Sequence, residues 1–276
     1  MYRILILLFT LGVSTGYGQS KKTVKHFDKG LTFSENKEYK KAISAYLDCI
    51  EEDPTQSSCY LNAGIDYSSI GEYERSIEML EKAMNIDPAS YKICTSLGNS
   101  FSHVGAYKKA IYYLGQAIDL KEDGLDTLYF NIGNNYMRWG KLDSAVWYYE
   151  KGLDLNPESG VIRTNLAYVL ILQEDYLAAK PELKILIKDF PKVANNYNNL
   201  GYVFYQLNEL KSAEYYVNKS LEIDDENSWC YRNLGLIYKK KGEQKKACKY
   251  LNRALDLDFV KIWGEDEIKD LIKYCP

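Results

Sequence analysis

The 276-residue chain predicts an all-α fold, a right-handed α-solenoid of seven helix-turn-helix repeats followed by a C-terminal capping helix. Three observations carry that prediction. Small residues recur at Gly30, Gly64, Gly98, Gly133, Ala167, Gly201 and Gly235, at intervals of 34, 34, 35, 34, 34 and 34 residues. A second small-residue column keeps the same intervals: Ala42, Ser76, Ala110, Ala145, Ala179, Ala213 and Ala247. Proline closes four of the units, at Pro54, Pro88, Pro157 and Pro191. A fixed period of this length marks stacked supersecondary units, none of which buries its apolar face alone.

Residues 1–18 come first, with one basic residue (Arg3), an apolar run from Ile4 to Val13, and small residues at Gly16 and Gly18. That order is a secretory signal peptide, cut after Gly18. The apolar run is too short for a span of roughly 20 residues. The expectation is an exported protein, periplasmic or extracellular, with no transmembrane span once the leader is removed. Residues 19–22 are a linker.

Each following unit has two apolar-periodic segments of helical length joined by a Gly or Asn turn, as in Ser228–Lys240 and Glu243–Leu255 around Gly242. The Gly or Ala of the first helix is expected to face the Ala of the second. The aromatic three residues later (Phe33, Tyr67, Phe101, Tyr136, Phe204, Tyr238) is expected to fill the wedge toward the next unit. Pro181 falls inside a second helix and should bend it locally. The second unit sets out the whole pattern: Tyr60, Ala63-Gly64, Tyr67, Gly71, Tyr73, Ser76, Leu80, Ala83 and Pro88. This resembles the tetratricopeptide repeat. The resemblance covers 23–261 as units 23–56, 57–90, 91–124, 126–159, 160–193, 194–227 and 228–261. It implies a non-catalytic module that binds other proteins. Residues 262–276 read as the capping helix, with Trp263, Ile268, Leu271 and Ile272 covering the last apolar face.

Composition narrows the partners. The net charge of −3 argues against nucleic acid, which needs a basic face, and gives no reason to expect attraction to an anionic membrane. The run "KKKGEQKK" (Lys239–Lys246) reads as a solvated turn and helix start. The two histidines, His26 and His103, lie more than two units apart; His26 stands in a packing column and His103 at an exposed helix end. No cysteine pair has metal-ligand spacing, and repeat geometry accounts for every glycine. No enzyme constellation, cofactor, metal or small-molecule substrate is expected.

Six cysteines remain: Cys49, Cys59, Cys94, Cys230, Cys248 and Cys275. Cys49 ends a second helix and Cys59 begins the next first helix. Cys248 begins the last second helix and Cys275 ends the cap. Buried free thiols are one reading; in an oxidising compartment Cys49–Cys59 and Cys248–Cys275 can bridge. Cys94 is a core position.

First helices line the concave side of such a stack. Two residues before the Gly column stands an asparagine in five units: Asn62, Asn131, Asn165, Asn199 and Asn233. An amide offers a donor and an acceptor to an extended peptide backbone, and neighbouring tyrosines supply apolar pockets. The alternative is an amide that solvates the groove or bonds within its own helix. The candidate partner site is therefore Asn131, Asn134, Arg138, Asn165, Tyr168, Asn199, Tyr202, Tyr205, Arg232 and Asn233. In it Arg138 and Arg232 bracket the aromatic strip, favouring an uncharged or acidic segment. Co-chaperone members of the family clamp a peptide's terminal carboxylate with Asn and Lys or Arg. Here Asn134 and Asn165 match the two Asn positions, whereas Phe130, Asn195 and Asn199 replace the basic ones. An internal segment is thus expected. The rival reading is a structural subunit of an envelope assembly that uses convex or end surfaces.

Overall fold

The structure, a computed structural model, describes residues 21–121, 123–257, 272, 273 and 275. The leader and most of the expected cap lie outside the described residues. Fourteen helices and no strand are found among those described, in two compact units, 1–104 and 105–276. The first unit holds α1 (Lys21–Glu35), α2 (Tyr39–Glu52), α3 (Ser57–Ser69), α4 (Tyr73–Ile86) and α5 (Tyr91–His103). The second holds α6 (Tyr107–Asp119), α7 (Leu125–Arg138), α8 (Leu142–Leu155), α9 (Gly160–Leu172), α10 (Tyr176–Asp189), α11 (Ala194–Gln206), α12 (Leu210–Ile223), α13 (Ser228–Lys240) and α14 (Gln244–Asp256). Odd-numbered helices are first helices of the repeat and even-numbered ones second helices. Within each unit every helix packs on its chain neighbours, giving a solenoid of helical hairpins.

One backbone position makes the hairpins alike. Lys37, Gly71, Gly105, Gly140, Glu174, Asn208 and Gly242 all have positive φ, between 60° and 81°, just past the first helix. The left-handed residue lets two N–H groups turn back onto the helix's last free carbonyls. The Asn208 N–H donates to the Tyr205 carbonyl at 3.1 Å and the Glu209 N–H to the Phe204 carbonyl at 2.9 Å. Glycine takes that conformation without cost, whereas Lys37 and Glu174 hold it against Cβ repulsion.

The small-residue columns bring the two helices of a hairpin together. The Ala, or Ser76, of the second helix is buried in every case. At Gly64, Gly201 and Gly235 the glycine faces the backbone carbonyl of that residue, as expected, and also the side chain one turn beyond it. A Cβ at Gly201 would lie 2.5 Å from Val217 Cγ2 and 3.1 Å from the Ala213 carbonyl; one at Gly133 would lie 2.6 Å from Tyr149 Cε1. Tyr149, with no exposed surface, fills the space the missing side chain leaves.

The aromatic three residues after the glycine differs from expectation. It lies flat on a tyrosine of its own hairpin: Tyr136 on Tyr148 at 5.2 Å, Phe204 on Tyr216 at 5.2 Å, Tyr238 on Tyr250 at 5.3 Å. Two of these rings also touch the preceding second helix. Lys180 of α10 sits 4.6 Å above the Phe204 ring, and the Tyr238 hydroxyl donates to Glu214 of α12. Phe204 and Tyr238 thus face the second helix behind them instead of the next unit. α10 continues across Pro181. Cys94 and Cys230 are buried free thiols, while Cys49 is joined to Cys59 and Cys248 to Cys275, with Cα atoms 6.2 and 5.5 Å apart. Of the expected capping residues Ile272 is described, and it packs beside Ala254, Trp229, Tyr231 and Leu255.

Candidate functional site

First helices α9, α11 and α13 of the second unit enclose an open cavity of about 630 Å³. One wall is α9, giving Thr164, Asn165, Tyr168, Ile171 and Leu172; the floor is α11, giving Asn195, Asn196, Asn198, Asn199 and Tyr202. Trp229, Arg232 and Asn233 of α13 form the far wall, and Val193 closes the turn before α11. Helical spacing places these residues together: Asn165, Tyr168 and Leu172 are three and four apart, as are Asn195, Asn199 and Tyr202.

The lining combines apolar surface and amides. Tyr168, Leu172 and Val193 are all more than two-fifths exposed, at 44%, 46% and 44%. Tyr202 meets the edge of Tyr176 at 6.3 Å and stacks toward Tyr205 at 6.4 Å, while its hydroxyl accepts from Gln206 Nε2 at 2.6 Å. Burial, with Tyr202 and Glu174 nearby, pushes the Tyr176 hydroxyl up to about 12, and burial also raises Tyr205. These two phenols therefore stay neutral at physiological pH. Arg232 is the lone charged side chain of the lining; its guanidinium lies 5.7 Å from the Tyr202 ring and 6.0 Å from Trp229, and it donates to Asn233 Oδ1 at 3.0 Å.

The asparagine column does not act as one set. Asn62 and Asn165 turn their amide N–H groups onto their own helices, at the Ser58 and Val161 carbonyls (2.7 and 2.9 Å). Outside the column, Asn134 accepts from the Tyr149 hydroxyl at 2.7 Å. Asn233 is buried, donating to Asn198 Oδ1 at 2.9 Å, so it braces α11 to α13 instead of reaching a partner. Among the described residues no side-chain hydrogen bond holds Asn199, whose amide stands half-buried in the cavity.

Six of the ten expected residues meet here: Asn165, Tyr168, Asn199, Tyr202, Arg232 and Asn233. Asn131, Asn134, Arg138 and Tyr205 are not in the lining. Arg138 does not bracket the strip, because its guanidinium lies over Tyr107 at 5.2 Å, at the other end of α7 from its first turn. Tyr205 is covered by Lys240 at 4.9 Å. Sequence reasoning passed over Trp229, Val193 and Asn198. Trp229 and Asn195 share one repeat position, four residues before the asparagine column. Extending the column one helical turn toward the N-terminus would have found them both.

The comparisons with known proteins agree with the fold. A family model described as tetratricopeptide repeat matches residues 26–56, 57–90, 126–159 and 230–260, and a second of the same description matches 164–228. A 95-residue stretch is 30% identical to RNA polymerase II-associated protein 3 of Xenopus tropicalis, covering 34% of this chain and 14% of that protein. The chain thus aligns with only a small part of the curated relatives it matches. Among solved structures, the C-terminal part of a TPR repeat-containing protein from Cytophaga hutchinsonii has a TM-score of 0.73 at 17% identity, over 89% of this chain and 99% of that one. A tetratricopeptide repeat protein from Parabacteroides merdae has a TM-score of 0.64 at 15% identity, over 92% and 98%. YrrB, a TPR protein with an unusual peptide-binding site, has 0.59 at 19% identity, over 71% and 98%. With family matches spread over more than half of its length, the chain belongs to the tetratricopeptide-repeat family.

Proposed function

We propose that the second unit is a non-catalytic interaction module that holds an extended, uncharged or acidic segment of a partner protein in the α9–α11–α13 groove. The observation that carries this is the uncommitted Asn199 amide in the same cavity lining as Tyr168 and Tyr202. An extended peptide needs a donor and an acceptor for its backbone and apolar surface for alternate side chains. The groove supplies the first through Asn199 and the free oxygen of Asn165, and the second through Tyr168, Leu172 and Trp229. Arg232, as the one charged group, favours an acidic side chain over a basic one. The peptide-binding site of YrrB supports the use of this fold for such a purpose.

The charge and apolar pattern of residues 1–18 supports export of the protein, and intact-mass measurement of the native protein tests it: a start near Gln19 is expected, and a start at Met1 would reject export. A structural-subunit reading draws on the outer aromatics Tyr112, Trp147 and Tyr215, exposed at 60%, 49% and 56%. Selection of a displayed random-peptide library on the purified protein separates the two. A convergent motif, competed by its own synthetic peptide, supports the groove. No enrichment over an unrelated helical protein favours the outer surfaces.

A further inference from the structure

The charge of this chain is unevenly placed. Residues 228–257 hold eight lysines and arginines against two carboxylates, Glu243 and Asp256, a net +6 in a chain whose total is −3. The preceding repeat, 194–227, holds two cations against six carboxylates. The last hairpin is therefore a basic end beside an acidic neighbour.

Some of those cations are used internally. Lys241 pairs with Glu214 and Lys246 with Glu243. Lys239, Lys240, Lys245 and Lys249 are exposed, and among the described residues no carboxylate pairs with them. Lys239 and Lys240 end α13 at the turn; Lys245 and Lys249 lie on α14, where Arg253 continues the same stripe at four-residue spacing. Like charges four apart on a helix repel and destabilise it. Arg253 is held over the Tyr231 ring at 5.8 Å, but no ring or carboxylate contact is found for Lys245 or Lys249 among the described residues.

We propose that the α13–α14 hairpin docks on an anionic lipid bilayer. The chemistry of the patch distinguishes a bilayer from an acidic protein. Protein interfaces are depleted in lysine and rely on aromatic or arginine anchors at their centre. Here the four cations without a carboxylate partner among the described residues are all lysine, spread over a turn and an outer helix face, with Lys240 also over the Tyr205 ring. No large apolar residue of α13 or α14 is exposed to serve as an anchor. Hydrated point charges without an anchor suit the diffuse negative potential of a lipid surface. The contact is peripheral, since no helix among the described residues is long and apolar enough to cross a membrane. The carboxylates Glu265, Asp266, Glu267 and Asp270 lie outside the described residues, so the full chain is the proper test object.

Co-sedimentation with lipid vesicles tests this. The full chain is mixed with vesicles of phosphatidylcholine containing a quarter phosphatidylglycerol, and with pure phosphatidylcholine vesicles. Binding to the anionic vesicles alone is expected, lost at about 1 M salt, where screening acts within about 3 Å. Each lysine near such a surface strengthens attachment roughly five-fold, so Lys245→Gln with Lys249→Gln should weaken it roughly 25-fold. Lys184→Gln with Lys211→Gln, the same charge change on α10 and α12, should leave it unchanged. Lys239→Gln with Lys240→Gln repeats the test at the turn if the α14 pair unfolds. No binding by the parent, or equal loss in the control pair, overturns the proposal. Binding to poly-glutamate as tight as to the anionic vesicles overturns it in favour of an acidic protein partner.

Discussion

Asn233 on α13 donates its amide N–H to Asn198 Oδ1 on α11 at 2.9 Å, and both side chains are buried. The bond ties two first helices together beneath the groove, while Arg232 holds Asn233 from the other side at 3.0 Å. Asn233→Ala would leave Asn198 buried without its donor, at a cost of about 1–3 kcal/mol. The pair should be coupled: Asn198→Ala with Asn233→Ala should cost less than the two single changes added, by about 1 kcal/mol. A urea-denaturation double-mutant cycle measures this, and strict additivity would show that the bond carries no stability.

The turn column yields a prediction of opposite sign. Glu174 has φ 60° where four of the seven left-handed turn positions named above have glycine. Glu174→Gly should relieve Cβ repulsion and stabilise the chain by about 0.5–1 kcal/mol, after the larger unfolded-state entropy of glycine is counted. Gly140→Ala, at φ 76°, should destabilise it by a similar amount. Melting curves of the two variants should move apart; a lower midpoint for Glu174→Gly would mean that its side chain outweighs the backbone strain.

Much of this was legible in the sequence because a repeat states its packing rules several times. The Gly and Ala columns located all fourteen helices, and the left-handed position recurs at the same intervals. The direction of the Gly+3 aromatics was not legible, because spacing gives the face of a helix and not which neighbour it meets. The fate of the asparagines was hidden for another reason. One residue type at one position serves three ends: a backbone bond at Asn165, a buried brace at Asn233 and an open amide at Asn199. The choice depends on the neighbouring helix, as when Asn198 captures Asn233.

Asp66 should make stability depend on pH. Its carboxyl is buried on α3, accepts from Ser34 Oγ at 2.8 Å through Oδ1, and leaves Oδ2 without a partner. Burial raises its pKa above the ordinary value of 3.8, with the Ser34 bond opposing. A raised carboxyl favours the folded state most below pH 3.8, and that contribution is lost as pH rises through the folded pKa. Asp66→Asn should then stabilise the chain at neutral pH, with the difference shrinking toward zero in acid. Asn135 already occupies the equivalent repeat position in α7. Denaturation at pH 7 and pH 4 checks it; a variant less stable than the parent at pH 7 would refute the sign.

Reduction should loosen the chain. The Cys49–Cys59 bridge closes a short loop between α2 and α3, a separation of ten residues. In the entropic account, opening it costs roughly 2–3 kcal/mol. A Cys49→Ala, Cys59→Ala variant should match the reduced parent in its melting midpoint apart from the second bridge. An unchanged midpoint on adding reductant would mean that neither bridge contributes.

The groove is tested most directly by the affinity of a library-selected peptide, measured by calorimetry on the parent, on Asn199→Ala and on Tyr202→Ala, with a melting curve for each. Loss of the open amide should cost about 1–2 kcal/mol of binding, and loss of the Tyr202 ring about 2 kcal/mol or more. Both variants should melt within a few degrees of the parent, since neither side chain is fully buried. If both bind the peptide as the parent does while remaining folded, the α9–α11–α13 groove is not the partner site.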